Sequence, residues 1–125
     1  MKKVIFTEKA PAAIGPYSQA IEANGMVFVS GQLPVDPATG EFAPGGVAEQ
    51  TTQSFENIKN ILAEAGLTTA HIVKTTVFSA DMALFADMNA VYAKYFDGDY
   101  PARSAVAVKA LPKGALVEVE CIAVR

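Results

Sequence analysis

Cysteine occurs once in the 125 residues, as Cys121, and histidine once, as His71. One cysteine excludes an internal disulfide framework and fits a reducing compartment, so a cytoplasmic location is expected. One residue of each strong ligand type builds no zinc site of recognisable spacing within a chain, and no metal is expected. His71 has no serine or cysteine at motif spacing, which sets aside a triad or thiol protease and leaves a surface histidine. Basic runs are missing and the net charge is -3. A phosphate-backbone footprint needs clustered Lys and Arg, so nucleic acid is not an expected partner. No stretch approaches the ~20 consecutive apolar residues of a membrane span. Met1-Lys2-Lys3 starts like a signal peptide, but Glu8, Lys9 and Pro11 intervene before an apolar stretch of ~7 to 15 residues can form. Internal repeats and low-complexity tracts are absent as well.

What is abundant is apolar surface. Hydrophobic residues make up 51% of the chain and charged residues 18%. The length suits one domain spanning residues 1–125, and a core of that size leaves apolar residues over for the surface, so an oligomer is expected.

Local signals then order the elements. Asn24-Gly25 separates Gln19–Ala23 from Met26–Ser30 and suits the positive φ angles of a type I′ turn, which predicts a hairpin. Val4 to Thr7 reads as a further strand and Ala10 to Pro16 as a loop. The stretch from Pro34 to Gly46, with three prolines and three glycines, is long for a connector and suits a cover over a cleft or a neighbour. Val47, Thr51, Phe55, Ile58, Ile61, Leu62 and Ala65 recur at helical spacing with Gly66 as the stop. His71 to Phe78 reads as a strand. Leu84, Phe85, Met88, Val91, Tyr92, Tyr95 and Phe96 form a second helical stripe with Asp81 as its N-cap. Ser104–Lys109 and Leu116–Val124 close the chain as strands about a Leu111-Pro112-Lys113-Gly114 turn. This order predicts an α+β domain with two helices on one face of a mixed sheet. The other face then needs identical copies to cover it, which makes clefts between subunits candidate sites.

The candidate chemistry centres on Tyr100-Pro101-Ala102-Arg103-Ser104. Arg103 follows a proline and precedes a strand, and a guanidinium matches a carboxylate with a planar fork of donors. Glu118 and Glu120 share one face of the last strand with Leu116, Ile122 and Val124, where a carboxylate needs a partner. Two readings stand: an ion pair of Arg103 or Lys109 with one glutamate, or an anion clamp beside a carboxylate that holds a water. Burial raises such a carboxyl's pKa and a nearby arginine lowers it. Ser30-Gly31-Gln32 ends a strand where backbone donors can approach a ligand. Tyr17 offers a phenol beside Gly15-Pro16, and Asn89 sits in a helix that disfavours asparagine unless it bonds something. Cys121 falls on the opposite strand face with Val117, Val119 and Ala123 and reads as a buried apolar residue. Gly45-Gly46 lacks phosphate-loop spacing and reads as a hinge.

Gly15-Pro16-Tyr17-Ser18-Gln19-Ala20, Val29-Ser30-Gly31-Gln32-Leu33-Pro34, Val73-Lys74-Thr75-Thr76-Val77-Phe78, Asn89-Ala90-Val91-Tyr92 and Pro101-Ala102-Arg103-Ser104 together resemble the RidA/YjgF family across the whole chain. The resemblance implies a chorismate-mutase-like α+β fold, a homotrimer whose sheets form a central barrel, and sites between subunits. For the arginine-containing branch it implies 2-iminobutanoate/2-iminopropanoate deaminase activity without a cofactor, on imines released by pyridoxal-phosphate-dependent dehydratases. By position, Arg103 would clamp the substrate carboxylate and Glu118 would manage the hydrolytic water. Tyr17, Ser30, Gly31 and Asn89 would line the pocket, and the backbone at Ala105 would help hold substrate or water. Ala105 stands where the family often has cysteine, and Val119 where isoleucine or methionine is common. Two other functions are weighed against the deaminase: a non-catalytic trimer that binds small oxo acids or regulates a partner, and an endoribonuclease. The acidic balance and single histidine disfavour the latter.

Overall fold

A computed structural model describes residues 1–125. Six strands form one mixed sheet: β1 (Lys3–Ile5), β2 (Ala20–Ala23), β3 (Met26–Gln32), β4 (Ile72–Ser79), β5 (Ala102–Ala107) and β6 (Val117–Val124). Their order across the sheet is β1-β2-β3-β6-β4-β5, with only β4 and β5 parallel. The hairpin between β2 and β3 turns on Asn24 at φ 52 and Gly25 at φ 74, the two positive angles a type I′ turn requires.

Helix α1 (Val47–Glu64) carries Phe55, Ile58, Ile61 and Leu62 fully buried on one stripe. Its start is held by the Glu49 carboxylate, which accepts the Gly46 N–H at 2.8 Å. At its end Leu67 N–H reaches the Leu62 carbonyl and Gly66 N–H the Ala63 carbonyl, with Gly66 at φ 76. This is a Schellman stop, and buried Leu67 supplies its apolar contact. The far end of the chain adds a cap: Arg125 Nη2 donates to Ala65 O at 2.6 Å while pairing both oxygens of Glu22 at 3.0 Å.

The second helix differs from the expectation. Asp81 does act as a cap, but of a 3-10 turn, Met82–Leu84, whose Ala83 N–H it accepts at 2.9 Å; helix α2 proper runs Phe85–Ala93. Tyr95 and Phe96 lie past its end in tight turns, yet still pack on Phe55, with ring centroids at 4.7 and 6.1 Å. The apolar stripe outlasts the helix because burial of the rings rewards the contact whatever the backbone does. Strand β5 starts two residues before its expected onset, at Ala102, and β1 sits one residue earlier than read.

Both helices lie on the face formed by Val27, Val29, Val77, Val117, Val119, Cys121 and Ala123, and the core sits between. Each fully buried large apolar side chain contributes about 1.5–3 kcal/mol. The opposite face has no cover within the chain. Pairing of Val4 with Ile21, of Ile21 with Phe28 and of Phe28 with Ile122 draws an apolar row across it, and Val4 and Phe28 are 58% and 42% exposed. Part of the apolar surplus of the composition is found there, while Ile14, Tyr17, Met82 and Tyr100 are exposed outside the sheet.

Candidate functional site

Arg103 is held from α2. Its Nη1 donates to Asn89 Oδ1 at 2.7 Å, and its Cζ lies 4.8 Å from the centre of the Tyr92 ring. Asn89 and Tyr92 are three apart on one helix face, so one element supplies both the acceptor at the guanidinium's edge and the π face beneath it. The Tyr92 hydroxyl bonds the Thr75 hydroxyl at 2.7 Å in the interior. Burial pushes its pKa up, against the lowering effects of Thr75 and Arg103, so the phenol stays neutral. Arg103 makes no ion pair with any carboxylate, which removes the structural ion pair expected as one reading. A cleft of about 320 Å³ opens beside it, walled by Tyr92, Ala93, Tyr100 and Pro101.

Glu118 is built differently. Between Val29 and Gln32 the pairing of β3 with β6 slips, so that Ser30 and Gly31 together oppose Glu120 in a bulge. The Glu118 side chain lies against the bulge at Gly31: a Cβ on Gly31 would stand 2.5 Å from Glu118 Oε2. Partial burial raises the Glu118 pKa, and the neighbouring Glu120 raises it further. No cation pairs it. Ser30 donates its hydroxyl to Ser18 O at 2.6 Å and its N–H to Gln19 O at 2.9 Å, leaving the hydroxyl free only as an acceptor. Tyr17, exposed, lines a cavity of about 290 Å³ together with Gly31, Gln32, Ile14, Leu33 and Lys113. The loop from Leu33 onward forms part of its wall, tied down where Asn57 Nδ2 donates to Leu33 O and Val35 O.

These two groups of residues do not meet within one chain. Arg103 pairs in register with Thr75, and Thr75 with Cys121, on the helix-bearing face; Glu118 pairs with Phe78 on the open face. Two strand spacings and three residues separate them, about 14 Å between Cα atoms, with side chains leaving opposite faces. Convergence of guanidinium and carboxylate at one site of a single chain is therefore ruled out. Ala105 is half-buried beside Val77 on edge strand β5, whose outer row of backbone groups has no partner strand. No group of three His, Cys, Asp or Glu converges that would hold a metal.

The family model described as endoribonuclease L-PSP matches residues 7–125. The chain belongs to the RidA/YjgF/L-PSP family. It is 50% identical to the mouse 2-iminobutanoate/2-iminopropanoate deaminase over 125 residues, covering 100% of this chain and 93% of that protein. Among solved structures, the E. coli YjgF gene product superposes with a TM-score of 0.94 at 51% identity, covering 98% of both chains. E. coli TdcF with bound serine does so at 0.94 and 49%, again over 98% of both. The YjgF-like α+β fold expected from the sequence is thus found. No helix is long and apolar enough to cross a membrane.

Two further residues shape the surroundings of Arg103 and Tyr17. Tyr92 belongs to the apolar stripe and its ring is buried, but one face carries Arg103. Its three-residue spacing from Asn89 was the available signal. Gln19 is a second: Oε1 accepts Thr7 N–H, and Nε2 donates to Thr7 O and Pro11 O, so it anchors the loop that carries Tyr17. Nothing in a lone glutamine next to a strand announces this.

Proposed function

We propose that the chain is a hydrolytic deaminase of small 2-imino acids such as 2-iminobutanoate and 2-iminopropanoate, acting as a homotrimer with sites between subunits. The observation that carries this reading is Arg103, fixed over Tyr92 and against Asn89 with no carboxylate partner of its own and a cleft beside it. Such a guanidinium is organised for an external carboxylate. Its Nε/Nη2 edge remains for a bidentate pair. The second support is Glu118, a carboxyl whose pKa is raised by burial and which lies unpaired at a backbone bulge.

In the proposed reaction the protonated imine carbon is attacked by water as Glu118 accepts a water proton, giving a carbinolamine. That proton passes to nitrogen, the C–N bond breaks with its electron pair leaving on ammonia, and the hydroxyl proton is released as the carbonyl forms. Water and iminium become a 2-oxo acid and ammonium, with no redox change and no cofactor. Orientation of the two reactants and proton transfer are the contributions asked of the protein. The apolar open face supports assembly, and the opposite placement of Arg103 and Glu118 supports a site made from the cleft of one subunit and the bulge of the next. The likeness to the mouse deaminase agrees with the chemistry.

A threonine dehydratase generating the imine in the presence of this protein tests the reading, with 2-oxobutanoate and ammonia followed. Acceleration by wild type and its loss in Arg103→Ala are expected; carboxylate binding without acceleration would replace the enzyme with a non-catalytic binder. Mixed oligomers refolded from Arg103→Ala and Glu118→Gln chains test the shared site. Recovery of activity above either parent is expected, and no recovery in verified mixed trimers refutes it.

A further inference from the structure

We propose that Tyr92 is a positioning residue for carboxylate recognition, acting through Arg103. The inference rests on the reading of Arg103 as the substrate's anchor. The Tyr92 ring is fixed at every side but one. Its hydroxyl bonds Thr75 at 2.7 Å, and Thr75 stands directly beside Arg103 in the parallel pairing of β4 and β5. Phe55 meets the ring edge-on at 5.4 Å and Phe96 packs at 5.0 Å. The remaining face carries the guanidinium at 4.8 Å.

An exposed arginine on an edge strand would otherwise sample many rotamers, since its long side chain loses much entropy when held. Tyr92 sets the height of the guanidinium, and Asn89 sets its rotation by accepting one Nη1 hydrogen at 2.7 Å. A flat cation with one edge engaged presents the other edge in a defined direction, and a bidentate carboxylate pair depends on that direction. The ring walls the cleft beside Arg103 but lies on the sheet face opposite Glu118, and its hydroxyl bonds only Thr75. Its effect therefore falls on binding that is equal in ground and transition states, which moves KM and leaves kcat alone.

Four proteins are compared: wild type, Tyr92→Leu, Tyr92→Phe and Tyr95→Leu. The last removes a ring that stacks on Phe55 at 4.7 Å and a hydroxyl that bonds Glu56 at 2.8 Å, without contact with Arg103, and so reports loss of packing and bonding remote from the guanidinium. Tyr92→Leu is expected to raise KM for the imine, and the Kd for propanoate as a simple carboxylate probe, roughly fivefold to tenfold, within reach of one cation–π contact plus lost orientation. Its kcat should stay within about twofold. Tyr92→Phe keeps the ring and frees Thr75, and should raise both constants about twofold. Tyr95→Leu should lower the melting temperature and leave KM and Kd unchanged. The Arg103 Nε–H resonance should move out of its ring-shifted position in Tyr92→Leu only.

A Tyr92→Leu protein with wild-type KM and Kd overturns the inference, as does a rise matched by Tyr95→Leu. Absence of turnover in wild type with propanoate binding intact defeats the deaminase reading alone, because Kd still reads the role of Tyr92.

Discussion

Replacing Gly31 by alanine separates the site from the fold. The new Cβ would lie 2.5 Å from Glu118 Oε2, 3.0 Å from its Cδ and 3.3 Å from its Cγ, whereas ordinary contact begins at 3.4 Å, so the carboxyl must retreat by about 0.9 Å. The obstruction is the far end of a flexible side chain, and the φ of Gly31 is not positive, so the backbone accepts alanine. Chain entropy then favours the variant by about 0.4–1 kcal/mol. Driving Glu118 off its rotamer costs about 0.5–1.5 kcal/mol. The two nearly cancel, and stability to urea should change by less than about 1 kcal/mol. Catalysis should not be so tolerant, since a displacement near 1 Å at a reacting group can cost on the order of 10²-fold. Steady-state deamination beside equilibrium unfolding checks both halves. Because the effect runs through the carboxyl, adding Gly31→Ala to Glu118→Gln should cost nothing further. Activity within about threefold of wild type, or a stability loss above about 3 kcal/mol, would show that Gly31 does something other than seat Glu118.

Glu118→Gln should raise the melting temperature at pH 7 to 8. The folded pKa of Glu118 is raised by burial and by Glu120, so its ionised form opposes folding, and the relative benefit of the protonated form is lost as pH rises through that pKa. The gap should close below about pH 4, where the acid is protonated in both states; a variant less stable at pH 8 contradicts this. Arg103→Lys keeps the charge but loses the planar fork and its fit to Asn89 and Tyr92. It should raise KM at least tenfold, about 1.4 kcal/mol of carboxylate binding, and equal KM values would refute a bidentate role. Glu22→Gln should lower the melting temperature at low salt and less so in 1 M salt, because Arg125 loses its partner. Arg125 holds the Glu22 pKa below its usual range, so the contribution exists above about pH 4.3 and fades as pH falls through the folded value. Equal melting curves at neutral pH and low salt would count against the latch.

Local physics was legible wherever a short motif demands one backbone. Asn24-Gly25 could hardly be other than a tight turn, and α1 with Gly66 carries its stripe and its stop in one reading. The apolar spacing runs past the end of α2 because Tyr95 and Phe96 continue it after the hydrogen-bonded helix has ended. Periodicity reports burial, and burial outlives the helix here. Of the two roles that suit the long loop after β3, covering a cleft or packing on a neighbour, the chain shows it lining a cavity, and the Asn57 amide that fastens it comes from a helix 22 residues further on. Strand alternation showed that Glu118 and Cys121 point oppositely within β6. It had no means of relating that face to the face of Arg103, since this needs the register through β4. The bulge that seats Glu118 is likewise a property of two strands, invisible in either alone.

The disposition of the halves also bears on symmetry. Arg103 lies on edge strand β5 under α2, while Glu118, Gly31 and Tyr17 cluster at the bulge and loops near β3 and β6. A site that joins one to the other pairs unlike surfaces, which is a heterologous contact. Such contacts propagate unless the rotation closes, and in the proposed trimer closure would protect the apolar row of Val4, Ile21, Phe28 and Ile122 by turning the open faces inward. The proposed trimer meets both demands and carries one site per interface. On the proposed reading the carboxylate bound by Arg103 would arrive in a space whose opposite wall belongs to another copy, and the scaffold of Tyr92, Asn89 and Thr75 would set the aim of the guanidinium within its own chain.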